Sequence, residues 1–135
     1  MKLSVSIACL LGASVFASAV PAMGAEELTG TLKKIKETGT ITLGVRDSSI
    51  PFSYLDDKQS YQGYSVDLCQ KVVFAIQRYL DMPTLKTNLN PVTSATRIPL
   101  MANGTIDLEC GSTTNNLERQ KQVAFGPTMF VTATR

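Results

Sequence analysis

Arginines and uncharged hydroxyls recur together at three places in this sequence. Arg46-Asp47-Ser48-Ser49 follows one apolar stretch and Thr93-Ser94-Ala95-Thr96-Arg97 follows a second. Gly111-Ser112-Thr113-Thr114 follows a third, with Arg119 close behind. An arginine carries a planar fork of N–H donors that meets a carboxylate at two points, and it stays charged at physiological pH. Hydroxyls beside it donate and accept hydrogen bonds without adding charge. A set made of Arg46, Ser94, Arg97, Ser112, Thr114 and Arg119 therefore suits the capture of a small anion. Two or three arginines in one site suit a ligand with two carboxylates. None of the six titrates near neutrality, so together they offer no general acid or base.

Each residue also has a plain structural reading. Arg46 can pair with Asp47, Ser94 can be a helix cap, Arg97 can lie along a helix, Arg119 can pair with Glu118, and Ser112 to Asn116 can be a polar turn. Repetition at the same kind of junction is what favours a ligand. Glu109, between Leu108 and Cys110, reads as a structural or edge residue because no partner acid or base can be named for it.

Composition removes several other classes. The chain has 135 residues, 44% of them hydrophobic and 18% charged, which suits one globular domain rather than a disordered segment. It contains no His, so Ser–His and Cys–His catalysis and His-ligated metal sites are excluded within it. No metal or other cofactor is expected. A formal charge of +2, with no basic run longer than Lys33-Lys34, does not describe a nucleic-acid surface. Cys9, Cys69 and Cys110 form no Cys-x-x-Cys pair, so neither a zinc ribbon nor a thioredoxin-like motif is present.

The elements that must hold the six residues follow from periodicity. Residues 1–24 have the layout of a signal peptide: Lys2, an uncharged run from Leu3 to Val20, and small residues at Ala22 and Gly24. Export would leave Cys69 and Cys110 in an oxidising compartment, either paired or as two small buried hydrophobes. From residue 25 the pattern predicts a helix over Thr31–Glu37 and strands over Thr40–Val45 and Pro51–Leu55. A helix over Ser65–Leu80, opened by Ser65 as cap, carries an apolar stripe of Val66, Cys69, Val73, Ile76 and Leu80. A strand over Leu85–Val92, a short helix capped by Ser94, a buried strand over Ile106–Cys110, a short helix capped by Asn115 or Asn116, and a strand over Met129–Thr134 complete the series. Helices between strands predict an α/β layer with parallel pairing. In such a sheet the three junctions share the carboxyl edge, where ligands sit.

Gly63-Tyr64-Ser65-Val66-Asp67-Leu68, followed by Val72-Val73 and Ile76, resembles the signature of the bacterial extracellular solute-binding proteins of the polar amino-acid family, family 3. Ser65 stands where that family usually has an acid. Three longer runs resemble its members for acidic amino acids: Gly44 to Tyr54, Thr93 to Leu100, and Glu109 to Gln122. The resemblance covers residues 28–135.

The resemblance implies a periplasmic binding protein-like type II fold, here an incomplete first lobe of a three-layer α/β/α architecture. It implies the periplasmic binding component of an ABC transporter, capturing L-glutamate or L-aspartate for membrane permease subunits, as a monomer when complete and without catalysis. Other occupants of this fold are receptor or sensor ligand-binding domains and dehydratase-like enzymes. By resemblance, Arg119 grips the α-carboxylate, Ser112 and Thr114 help hold the α-amino group, and Arg46, Ser94 and Arg97 surround the side-chain carboxylate. The family chain is roughly twice as long, and its second lobe brings an acid and a His to the ligand. Residues 25–135 are thus expected to be the N-terminal part of lobe 1, ending before lobe 2, with stability and tight binding that depend on the rest.

Overall fold

A computed structural model describes residues 27–133. The proposed signal peptide, residues 1–24, lies outside the described residues.

The order is α1 (Gly30–Thr38), β1 (Thr40–Val45), β2 (Ser48–Ser49), β3 (Ser53–Leu55), β4 (Tyr61–Gln62), α2 (Tyr64–Leu80), β5 (Lys86–Pro91), α3 (Arg97–Ala102), β6 (Leu108–Glu109) and α4 (Leu117–Gln120). β1 is the centre of a parallel sheet with order β5-β1-β6. Its register sets Val45 beside Pro91, and Gly44 between Asn90 and Glu109. A second, antiparallel sheet, β2-β3-β4, stands beside it.

Alternation along β1 explains the layering. Ile41, Leu43 and Val45 point to one face and are essentially inaccessible to water. They meet Ile35 of α1 and Val66, Cys69, Val73 and Leu80 of α2 in one apolar cluster. Each such side chain contributes about 1.5–3 kcal/mol by leaving water. Gly44 points to the opposite face, against Ile106 and Val92. Those two side chains cover the second face at Gly44, while α1 and α2 pack together on the first.

The long amphipathic stripe lies on α2 as its spacing predicts, but the helix opens differently. Gly63, at φ +127°, is its N-cap, and a Cβ there would fall within 2.8 Å of the backbone of Pro51 and Phe52. Only glycine fits both that conformation and that crossing. Ser65 is consequently inside the first turn, and its hydroxyl donates to the Gly111 carbonyl at 2.7 Å.

Three other expectations need correction. Pro51–Leu55 does not join the main sheet: its strand is Ser53–Leu55, in the small antiparallel one. Ser94 does not cap α3, which starts at Arg97 after Thr96. Instead Thr93 and Thr96 bond each other's N–H groups through their hydroxyls, at 2.9 and 3.2 Å. No strand forms at Met129–Thr134 among the described residues. Instead Phe130 packs on aromatic side chains, edge-on to Phe52 at 5.0 Å. Tyr64 donates its hydroxyl hydrogen to the Met129 carbonyl there.

The cysteines are paired. A disulfide joins Cys69 of α2 to Cys110 just after β6, with Cα atoms 6.1 Å apart.

Candidate functional site

Parallel pairing brings the three arginine-bearing junctions to one edge. Val92 N–H donates to the Val45 carbonyl and Cys110 N–H to the Gly44 carbonyl, both at 2.8 Å. The chain therefore leaves β1, β5 and β6 side by side, and Arg46, the 93–97 turn and the 111–119 loop begin at one level.

Each junction has its own fastening. Arg46 N–H donates to the Ser53 hydroxyl at 2.8 Å, and Ser53 is fully buried. Asp47 accepts the Tyr61 hydroxyl hydrogen at 2.7 Å, so its carboxylate turns towards β4. Gly111-Ser112 is held from α2 twice, through the disulfide at Cys110 and the Ser65 bond to the Gly111 carbonyl. Asn116 caps α4 by accepting from Arg119 N–H at 2.9 Å, as its position in the sequence predicts. The Arg119 guanidinium donates to the Thr114 carbonyl at 2.8 Å, which fixes its direction without using its charge.

The charges converge. Arg97 is buried, with only 7% of its surface exposed. Burial is the main influence lowering its pKa below the usual guanidinium value; Glu109 opposes this, and Arg46 and Arg119 lower it further. An arginine so placed remains charged, so the site holds three cations that feel one another. Among the described residues one acid offsets them: Glu109 Oε1 lies 3.9 Å from Arg97 Nη1. Glu118 pairs with Lys121 instead of Arg119. Among the described residues Arg46 and Arg119 have no carboxylate within ion-pairing distance.

Arg97 Nε and Nη1 are buried without a hydrogen-bond acceptor, as is the Thr113 hydroxyl. Buried donors cost free energy while they lack a partner, of the order of 1–3 kcal/mol each and more when charged. A ligand carboxylate would relieve that cost.

The structure thus brings Arg46, Arg97 and Arg119 together, with Ser112 and Thr114 on the loop that carries Arg119. Ser94 sits exposed on the turn before Arg97, without the helix-capping role its position suggests. Two residues outside the six expected from the sequence also lie at the site. The Ser49 hydroxyl lies 2.7 Å from that of Ser112, across the site edge. Its signal was present in Ser48-Ser49, but no spacing indicates which hydroxyl it meets. Glu109, read as an edge residue, faces into the arginine cluster. Gly111 makes room for it: a Cβ there would collide with Glu109 Oε1 and come within 3.0 Å of Arg46 Cγ.

Comparison with known proteins agrees with this architecture. Residues 41–135 match the family described as bacterial extracellular solute-binding proteins, family 3. The chain is 59% identical over 128 residues to an L-glutamate/L-aspartate-binding protein of Pseudomonas aeruginosa, a match covering 93% of the chain and 42% of that protein. It is 54% identical over 112 residues to a glutamate/aspartate import solute-binding protein of Salmonella typhimurium, covering 83% of the chain and 37% of that protein. The chain spans about two-fifths of the length of these curated relatives. Among solved structures, the arginine-bound form of domain 1 from TmArgBP aligns with a TM-score of 0.62 at 26% identity, covering 73% of this chain and 71% of that one.

Proposed function

The chain belongs to the bacterial extracellular solute-binding proteins, family 3, and on that premise we propose that it forms the greater part of the first lobe of a two-lobed amino-acid receptor serving an ABC importer. Its ligand is L-glutamate or L-aspartate, captured in the periplasm and handed to membrane permease subunits. Residues 1–24 direct export and are removed. The full-length protein acts as a monomer, and it binds without catalysing a reaction.

The observation that carries this reading is the cluster of Arg46, Arg97 and Arg119 at one sheet edge, offset among the described residues by a single acid. A monocarboxylate amino acid needs one such cation. A dicarboxylate one uses the surplus. Arg119, pinned by the Thr114 carbonyl, receives the α-carboxylate. Ser112 and Thr114 accept hydrogen bonds from the α-ammonium group, which no guanidinium can do. Arg97, with its donors unmet, takes the side-chain carboxylate together with Arg46 and the Ser94 hydroxyl. The names of the curated relatives support the same ligands. The likeness to an isolated, ligand-bound first domain supports the division into lobes. Closure of two lobes around the ligand would then produce the form a permease recognises.

Calorimetric titration of the full-length protein with glutamate, aspartate, glutamine, lysine and leucine tests the assignment. Glutamate and aspartate are expected to bind most tightly. Tighter binding of lysine or leucine than of either would refute it.

A further inference from the structure

We propose that Glu109 is a built-in counter-charge that stands in for the ligand's side-chain carboxylate in the empty site and limits the preference for an acidic side chain over its amide. This rests on the reading of the site as one for acidic amino acids, and it concerns a positioning residue rather than a ligand contact.

Glu109 is the acid of the site's Arg97–Glu109 ion pair, and its side chain is 15% exposed. Its Oε1 lies 3.9 Å from Arg97 Nη1, which is close enough for attraction but too far for a hydrogen bond. Both atoms are buried and lack a hydrogen-bond partner. A pair built only to brace the fold would be expected to close to contact. This one leaves two guanidinium donors of Arg97 unused, while its charge still offsets the repulsion among Arg46, Arg97 and Arg119. The carboxylate reaches this place because Gly111 has no side chain to block it, and the Arg46 stem passes the same glycine.

Two consequences follow. Without ligand, Glu109 supplies the negative charge that makes three buried or half-buried cations tolerable together. With ligand, a second carboxylate arrives on Arg97, and the two acids repel each other. Glutamate feels that repulsion and glutamine does not. Glu109 therefore stabilises the empty receptor and moderates its grip on the acidic ligand.

Substitution Glu109→Gln in the full-length protein separates this from a purely structural role. The readouts are thermal melts with and without saturating glutamate, and the ratio of glutamate to glutamine affinity by calorimetry. Without ligand the melting temperature is expected to fall by about 2–4 °C, the effect of roughly one kcal/mol in a protein of this size class. Saturating glutamate should close the gap with the wild type. The affinity ratio should rise on the order of tenfold, as when a like charge roughly 6 Å away is removed from a partly screened site. Glu109→Asp, which keeps the charge, should restore both readouts towards wild type.

Equal loss of melting temperature with and without glutamate, or an unchanged or lowered affinity ratio, would overturn the proposal. So would a Glu109→Gln protein that fails to fold even in saturating glutamate, because the ligand's carboxylate should replace the missing charge. A wild-type protein that binds no acidic amino acid overturns the functional reading as well. An unchanged ratio in a protein that does bind glutamate overturns the role of Glu109 alone.

Discussion

Removing the Cys69–Cys110 disulfide should weaken both the fold and the site, because it ties α2 to the loop that begins with Gly111 and Ser112. The two cysteines are 41 residues apart in sequence. Closing a loop of that length restricts the unfolded chain by about 13 cal/mol/K, or about 4 kcal/mol at 25 °C. The double substitution Cys69→Ala, Cys110→Ala gives up that constraint while removing little buried volume. Urea unfolding of the full-length protein, followed by circular dichroism and extrapolated to water, measures the loss. The wild type in excess dithiothreitol should unfold along nearly the same curve as the variant. Glutamate affinity should fall as well, since Ser65 alone would then hold the Gly111 carbonyl from α2. A loss below about 1 kcal/mol, by both reduction and substitution, would refute the claim that this loop is a principal constraint on the domain.

Three further outcomes are expected. Arg119→Ala should weaken every amino-acid ligand by an amount on the order of 2–5 kcal/mol, whereas Arg46→Ala or Arg97→Ala should mainly erase the preference for glutamate over glutamine; titration with both ligands separates the cases. Ser49→Ala removes the 2.7 Å contact with the Ser112 hydroxyl and should weaken ligand binding by about 1 kcal/mol, with the urea midpoint of the unliganded protein nearly unchanged. Asp107→Ala lies at the opposite end of β6 from the site and leaves Thr42 N–H and Lys34 without their shared acceptor, so it should cost about 1–3 kcal/mol of stability with unaltered glutamate affinity.

The parts of the fold that were legible in the sequence are those governed by periodicity. The apolar stripe of α2, the alternation in β1 and the parallel pairing of the main sheet follow from residue spacing alone. The convergence of Arg46, Arg97 and Arg119 was legible for the same reason, since a parallel sheet carries every strand-to-helix junction to one edge. Local hydroxyl chemistry was not. Ser65 and Ser94 occupy positions where a helix cap is the ordinary reading, yet Gly63 and the Thr93–Thr96 pair take those tasks. Ser65 is thereby released for a contact that depends on a tertiary neighbour, and Ser94 is left exposed. Ser65 reaches a carbonyl 46 residues away. Met129–Thr134 has the composition of a strand, but Phe130 there packs edge-on against Phe52 and Tyr64, a contact no local pattern announces. The pairing of Cys69 with Cys110 and the inward turn of Glu109 likewise depend on distances that only the folded chain sets.

The claim that three guanidinium groups at one sheet edge hold one acidic amino acid can be tested directly by following assigned arginine Nε–H resonances of the full-length protein during titration with glutamate. The resonances of Arg46, Arg97 and Arg119 should move together and saturate at one equivalent, with Arg97 moving furthest because its buried donors gain an acceptor. Arg78, in the last turn of α2, should remain still. Saturable binding of glutamate that leaves Arg97 and Arg119 unmoved would contradict the account.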